Sequence, residues 1–209
     1  MRHSFSLLFA FFVSLGCSAQ TLKMRDVFVA MPDSVLLLVT ENNRLDCIDF
    51  VDNNMEAKVR NRADEFVEMK KLTDDFLFFQ TSESSRTEMK LLTVQDSVQV
   101  VCVVRTYLGP GADSDVAFYR ADSWQSLESS VLSCLNGARP AVEDFFVDEN
   151  GDDSKDNYIQ MLRDFPLMEA NLSADTLELT WTLGLSALSK DEKKAAQKIV
   201  QPIRQSLLR

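Results

Sequence analysis

Hydrophobic periodicity predicts a helical opening to the folded part of the chain. Apolar residues recur at the three- and four-residue spacing of an amphipathic helix at Met24, Val27, Phe28 and Met31. Pro32 interrupts this pattern, and the apolar positions within residues 34–40 and 45–51 predict further short helices. We therefore expect the first third of the folded chain to be helical.

From residue 57 onward, the pattern predicts an antiparallel β meander. Short apolar or alternating segments, separated by polar turns, lie at residues 58–61, 66–72, 76–80 and 87–92. Residues 98–106 are β-branched on both faces, so this strand is expected to lie centrally. The Gly109-Pro110-Gly111 turn leads into its partner strand at 116–121. A second hairpin is predicted from residues 167–172 and 176–183.

The second half of the chain also contains two helix signals. Ser123 suits the N-cap of a helix that ends before Pro140, with a looser region running on to Asp156. Ser189 and Glu192 form an S-x-x-E capping box for a last helix. Its apolar stripe is expected to extend to residue 207, with a kink at Pro202, and to pack on a sheet face. The predicted fold class is α+β.

Residues 1–19 have the three-part layout of a secretory signal. Arg2 precedes an apolar run that ends at Leu15, and small residues follow through Ala19. The run is shorter than the roughly 20 residues that span a bilayer. We predict a signal peptide over 1–19 and a single α+β domain over 20–209, exported to the periplasm or the cell surface.

A lipid anchor is the alternative way to process this signal. Leu15-Gly16-Cys17 resembles a bacterial lipobox, in which Cys17 is acylated and the protein is tethered to the membrane. Ser14 departs from the pattern, because this position of a lipobox is usually aliphatic. Cleavage after Ala19 is therefore the favoured prediction.

Charge and composition remove several classes of function. The net charge of −10 argues against binding to nucleic acid or anionic membranes. His3 is the one histidine and lies in the signal, so the mature chain has no histidine for a Ser–His or Cys–His mechanism or a metal site. No glycine-rich phosphate loop is present, and no cofactor is expected. Cys47, Cys102 and Cys134 are interpreted as buried free thiols, with one disulfide as the alternative.

Acidic residues are the main remaining source of chemistry. Asp148, Asp152 and Asp153 crowd around Gly151 and are a weak candidate for calcium, although they lack the order of an EF-hand and also suit a solvated loop. Paired acids such as Asp74 and Asp75 suit glycoside hydrolysis, which needs two carboxyl groups about 5 to 10 Å apart. The tryptophans, Trp124 and Trp181, lie in apolar-periodic segments and are predicted to pack in the core rather than against sugars.

The segment Asn42-Asn43-Arg44-Leu45-Asp46 is the weak candidate for a binding site, because polar residues crowd between two apolar stretches. Helix capping alone accounts for Asn42 or Asn43 and for Asp46. Arg44 is left over. It is a candidate to bind a carboxylate or sulfated ligand, or else to pair with Asp46 or Asp49.

That segment also belongs to a family resemblance. Together with Met31-Pro32-Asp33-Ser34, Leu72-Thr73-Asp74-Asp75-Phe76 and Ser82-Glu83-Ser84-Ser85, it resembles the domain-of-unknown-function family 3256, an uncharacterised exported family of Bacteroidales. The resemblance covers nearly all of the mature chain. It implies export, and it implies no activity and no catalytic residues.

The implied host suggests one modification. Exported proteins of such bacteria are O-glycosylated at an Asp, then Ser or Thr, then an apolar residue, a pattern found here at Ser34, Ser97 and Thr176. All three positions also suit caps or strand-edge turns.

Two functional hypotheses follow from these observations. The molecular function is unknown, and a non-catalytic cell-envelope module that binds a protein or glycan partner is favoured. The alternative is a carboxylate-based hydrolase that acts on glycans, which requires two acids in one cleft.

Overall fold

The computed structural model describes residues 21–95, 97–147 and 154–209, and its largest element is a six-stranded antiparallel sheet. The strands lie side by side in chain order, which confirms the predicted meander and the α+β class. They are β1 (Lys58–Arg60), β2 (Phe66–Leu72), β3 (Phe76–Ser82), β4 (Ser85–Val94), β5 (Val98–Leu108) and β6 (Ala112–Arg120).

A second, three-stranded antiparallel sheet has the order β7-β8-β9. The predicted hairpin forms β7 (Met168–Leu172) and β8 (Glu178–Leu183), and β9 (Ile203–Ser206) pairs with β8 near the end of the chain. The helices are short: α1 (Met24–Val29), α2 (Glu41–Asp52), α3 (Ser129–Leu132), α4 (Ser154–Arg163) and α5 (Lys190–Ala196), with a 3₁₀ turn at Val142–Phe145.

The large sheet separates two apolar cores. Val101 and Val103 of β5 pack with Phe28 of α1 on one face, which we call the helical face. Val100, Cys102 and Val104 point to the opposite face and pack with β8 side chains such as Trp181. Since β5 is buried on both faces, the interpretation of its β-branched run is confirmed. Both tryptophans lie in the cores, as predicted.

The predicted last helix is right at its start and wrong at its end. Ser189 and Glu192 form the capping box, with Ser189 N donating to Glu192 Oε2 at 2.8 Å. The helix ends at Ala196, however, and the residues after Pro202 form β9 instead of a further helical turn. Pro202 cannot donate a helical hydrogen bond, and the chain beyond it gains the ladder to β8.

Other parts of the helix prediction also differ from the structure. Residues 34–40 form turns rather than a helix. Ser123 does not cap a helix, because Trp124 has a left-handed backbone with φ of 57° and its Nε1 donates to Val27 O at 3.0 Å. Helix α4 was not predicted, and α3 is a single turn.

The cysteines of the described residues are all free thiols, with Cys47 and Cys102 buried and Cys134 half-buried. Burial raises the pKa of Cys47 to about 12, and the charge of Asp46 adds to this effect. A thiol with so high a pKa stays protonated at neutral pH and is a poor nucleophile.

The outer edge of β7 is satisfied by side chains of the large sheet instead of by another strand. Three alternate backbone N–H groups of β7 donate to Asp113 Oδ1 (Met168 N, 3.0 Å), Ser114 Oγ (Ala170 N, 2.8 Å) and Glu88 Oε2 (Leu172 N, 2.6 Å). Buried backbone donors of this kind are costly when unpaired. The two sheets are therefore joined by directional polar contacts as well as by apolar packing.

Glu88 is the buried carboxylate among these acceptors, with 6% of its surface exposed. Burial raises the pKa of its carboxyl group, and the opposing effects of the Leu172 N–H and of Arg86 do not cancel this increase. Lys90, on the same strand and equally enclosed, donates to Ala174 O at 2.7 Å and pairs with Asp75.

We expect Glu88→Leu to destabilise the protein more than Glu88→Gln. Leucine leaves the buried Leu172 N–H without an acceptor, at a cost of about 1–3 kcal/mol, whereas the glutamine amide oxygen retains one. Urea unfolding followed by tryptophan fluorescence measures the difference, and equal midpoints for the two variants would contradict it.

Because the folded-state pKa of Glu88 is raised above 4.5, wild type should lose stability relative to the glutamine variant as pH rises from that value.

Candidate functional site

A groove of about 280 Å³ opens between the loop of residues 34–39 and the helical face of the large sheet. We call it the 34–39 groove. Alternate residues of a strand share a face, so the strands that bury apolar side chains on the helical face place polar side chains on that same face nearer their ends. These polar side chains form the floor of the groove. The floor residues are Thr81, Ser85, Thr87 and Arg105.

Three large apolar side chains stand at the rim of this groove. Leu37 is 71% exposed, Leu38 is 44% exposed and Tyr107 is 60% exposed. Single exposed apolar residues are common on protein surfaces, but a group of them beside a concave polar floor is typical of an interaction site.

The polar groups of the floor are hydrogen-bonded to each other and to the loop. Thr81 Oγ1 and Ser85 Oγ lie 2.8 Å apart. Arg105 donates to Asp115 Oδ2 at 3.0 Å and to Val35 O at 3.4 Å. Burial lowers the pKa of Arg105, but its hydrogen bonds with Asp115 and Tyr119 outweigh this effect and raise the pKa overall. Arg105 is therefore a cation on the floor of the groove, paired with the carboxylate of Asp115.

Arg44, the candidate ligand-binding residue, lies inside the protein behind this loop. Its side chain is 2% exposed. Nε and Nη2 donate to Val29 O, both at 3.4 Å, and Nη2 also donates to Met31 O. Nη1 donates to Asp33 Oδ1 at 3.0 Å and to Val39 O at 2.9 Å.

These bonds use all five N–H groups of the Arg44 guanidinium. Its ionic partner is Asp33, so the predicted pairing with Asp46 or Asp49 is wrong. The contacts give Arg44 a structural role, and ligand binding by this residue stays a prediction that none of them supports.

The rest of the Asn42–Asp46 segment divides between capping and the surface. Thr40 is the N-cap of α2, since its Oγ1 accepts from Asn43 N at 3.1 Å and Asn43 Oδ1 accepts from Thr40 N at 3.1 Å. The capping interpretation is thus confirmed for Asn43, while Asn42 and Asp46 are exposed on α2. Asn43 also donates to Arg60 O at 2.9 Å and ties the helix to β1.

The other predicted sites are spread over the molecule. The candidate calcium ligands Asp148, Asp152 and Asp153 fall outside the described residues, and within the described ranges no cluster of acidic, histidine or cysteine side chains has the arrangement of a metal site. The hydroxyl-bearing residues of the three glycosylation patterns, Ser34, Ser97 and Thr176, are exposed and lie in turns.

Asp74 and Asp75, the acids considered for hydrolysis, lie in the turn between β2 and β3 and are both ion-paired. Asp74 is 3.2 Å from Lys23 Nζ, and Asp75 is 2.7 Å from Lys90 Nζ. Burial raises the pKa of Asp75, but hydrogen bonds from Lys90 and Thr73 outweigh it and lower the pKa overall. A lowered pKa is the opposite of what a general acid requires.

With this geometry in place, comparisons with known proteins identify the family. The family described as "Protein of unknown function (DUF3256)" matches residues 15–207. The chain belongs to this family. The resemblance drawn from the sequence is therefore confirmed.

A solved structure similar to this DUF3256 chain is a domain of an uncharacterized protein from Porphyromonas gingivalis W83. The TM-score is 0.70 with 26% sequence identity, over 90% of this chain and 96% of that one. The chain matches no curated protein. These relatives supply a family and a fold but no activity.

Membrane insertion by a helix finds no support in the described parts of the chain. None of the helices there combines the length and the apolarity needed to cross a bilayer.

Proposed function

We propose that this DUF3256 protein is an exported, non-catalytic module that binds a protein partner in the 34–39 groove. The observation that supports the proposal is the exposure of Leu37, Leu38 and Tyr107 around one concave surface. Aromatic and arginine side chains are enriched in protein interfaces, where a few well-held apolar groups contribute most of the binding energy. The groove offers both, with Arg105 on its floor.

The lining of the groove favours binding over catalysis. Its described lining includes no Asp, Glu, His, Cys or Lys. The hydroxyls of Thr81 and Ser85 face each other, and a serine or threonine hydroxyl needs an adjacent base to become a nucleophile. A partner is therefore held in this groove rather than transformed.

Glycan binding is the second candidate for the same groove. The exposed ring of Tyr107 lies beside hydroxyl groups and Arg105, and this combination suits stacking on a sugar together with hydrogen bonds to its hydroxyls. The exposed leucine pair favours a protein, because two branched aliphatic side chains match an apolar surface better than a polar sugar.

A photo-crosslinking amino acid at Leu37 should capture a specific partner in the native host, whereas the same probe at Leu132 should not. Leu132 is a matched control, because it is 50% exposed and lies on α3 away from the groove.

Tyr107→Ala should lower the crosslinking yield from the probe at Leu37 about fivefold or more by removing an interface aromatic. Phe165→Ala should leave it unchanged, since Phe165 is equally exposed at 64% but does not line the groove.

The two candidates separate in a parallel glycan-array measurement. Glycan binding that disappears in Tyr107→Ala, with no protein adduct at Leu37, would favour the second candidate. Adducts of equal yield at Leu37 and Leu132, without glycan binding, would contradict the use of this groove altogether.

We also propose that the chain is exported to the periplasm or cell surface after cleavage behind Ala19. The support is the three-part layout of residues 1–19, with Arg2 before an apolar run that ends at Leu15 and small residues through Ala19.

The intact mass of protein isolated from host envelope fractions should correspond to a mature chain that begins at Gln20. A mass that begins at Cys17 and includes acyl chains would instead establish the lipid anchor. Recovery of the uncleaved chain from the cytoplasmic fraction would contradict export.

O-glycosylation at Ser34, Ser97 and Thr176 is a further proposal for the exported protein, supported by the exposure of these residues in turns. The native protein should have added sugar mass, and replacement of each Ser or Thr by Ala should remove it stepwise. A native mass equal to that of the unmodified polypeptide would exclude the modification.

A further inference from the structure

The loop of residues 34–39 forms one wall of the groove. Arginine side chains form hydrogen bonds with this loop and with Asp33 beside it, one from the protein interior and one from the solvent side. Behind the wall, the buried Arg44 donates to Asp33 and to Val39 O. On the solvent side, Arg62 Nη2 donates to the other carboxylate oxygen of Asp33 at 2.7 Å, and Arg62 Nη1 donates to Leu37 O at 3.4 Å. Asp33 therefore joins a buried cation to an exposed one.

The backbone of the exposed leucines is fixed at consecutive residues. The carbonyls of Leu37, Leu38 and Val39 accept hydrogen bonds from Arg62 Nη1, Arg62 N (3.1 Å) and Arg44 Nη1, respectively. Leu36 and Val39 are buried on either side, but Leu37 and Leu38 project into solvent and obtain little support from packing. The polar contacts supply the support that the apolar core does not.

Asp33 remains ionised over the physiological range. The hydrogen bond from Arg44 lowers the pKa of its carboxyl group, and although partial burial opposes this effect, the charges of Arg44 and Arg62 add to the decrease. The ion pairs of Asp33 with Arg44 and with Arg62 are thus both present at neutral pH.

We infer that Arg62 and Asp33, together with Arg44, are positioning residues that hold Leu37 and Leu38 in their binding geometry before a partner arrives. The inference rests on the proposed function of the groove. A loop that is already fixed loses less conformational entropy when it binds, so its affinity is higher than that of the same loop when it is mobile. Arg62 acts through the loop and need not touch the partner.

Arg62→Ala tests the inference, and Arg60→Ala is its matched control. The two arginines are two positions apart, both are 54% exposed in their side chains, and each pairs with one aspartate. Arg60 pairs with Asp64 and makes no contact with the loop of residues 34–39 among the described hydrogen bonds. Both variants should fold, because surface ion pairs contribute little to global stability.

Amide hydrogen exchange of the purified mature protein gives the first measurement. The amides of Val35 and Val39, which donate to Pro32 O and Leu36 O, should exchange up to about fivefold faster in Arg62→Ala. They should be unchanged in Arg60→Ala, and the amides of β5 should be unchanged in both. Arg62→Lys should rescue exchange only in part, since an ammonium group can pair with Asp33 but lacks the planar fork that also reaches Leu37 O.

The crosslinking yield from the probe at Leu37 gives the second measurement, and it should fall in Arg62→Ala but not in Arg60→Ala. Unchanged exchange in Arg62→Ala, or faster exchange with an unchanged yield, overturns the inference. A third outcome is faster exchange in Arg62→Ala while the wild-type protein gives no groove-specific adduct. This result supports the fixing of the loop by Arg62 and overturns the proposed function of the groove instead.

Discussion

The whole arrangement depends on strand β5 of the large sheet, which is apolar on both faces along its buried middle. Val100 to Val104 of β5 are all fully buried, with neighbours alternating between the two cores. A strand of this kind is stable only when both faces are covered, so the chain has to supply one covering layer before the meander and another after it. The helical opening provides the first layer, and the small sheet with its associated helices provides the second.

Apolar burial does not by itself fix how the small sheet sits on the large sheet, because the hydrophobic effect has no direction. Polar side chains that reach out of the large sheet supply that direction. Glu88, Ser114 and Asp113 each accept one backbone N–H of β7 and so fix its position along the sheet. On the opposite face, Arg44 and Arg62 play a comparable part for the groove wall. Both faces thus combine a non-directional apolar core with a few charged or hydroxyl groups that determine geometry.

The sequence predicts the elements far better than the site. Period-two alternation and polar turns locate the meander, and the Ser189 capping box locates the start of α5. The pattern fails near the end of the chain, where Ile203 and Leu207 fit the apolar stripe of a helix. Residues 203–206 form strand β9 instead, because they pair with β8. Residues 35–39 are an unbroken apolar run that was interpreted as helix, although two of its members face solvent.

The groove itself was beyond sequence reasoning, because its parts are distant in the chain. Arg62 reaches Asp33 across 29 positions, and Arg105 reaches Val35 across 70. The polar segment around Arg44 is unusual in the sequence, but the ionic partner of Arg44 is Asp33, 11 positions earlier, and no local pattern indicates this pair. Local spacing reveals helices and strands, whereas contacts of this range depend on the finished fold.

The way β7 is attached also has a consequence for how freely the family can change. In three of its hydrogen bonds with the large sheet, the donor is a backbone amide of β7, which every residue except proline possesses. Substitutions at Met168, Ala170 and Leu172 therefore keep these three hydrogen bonds as long as none introduces proline, and the limit on them is side-chain volume, because all three side chains are buried in the core. The remaining two residues of β7 are constrained differently: Arg86 of β4 donates to Glu169 Oε1 at 2.5 Å and to Asn171 Oδ1 at 2.8 Å, so a change at either position can remove a side-chain contact between the sheets.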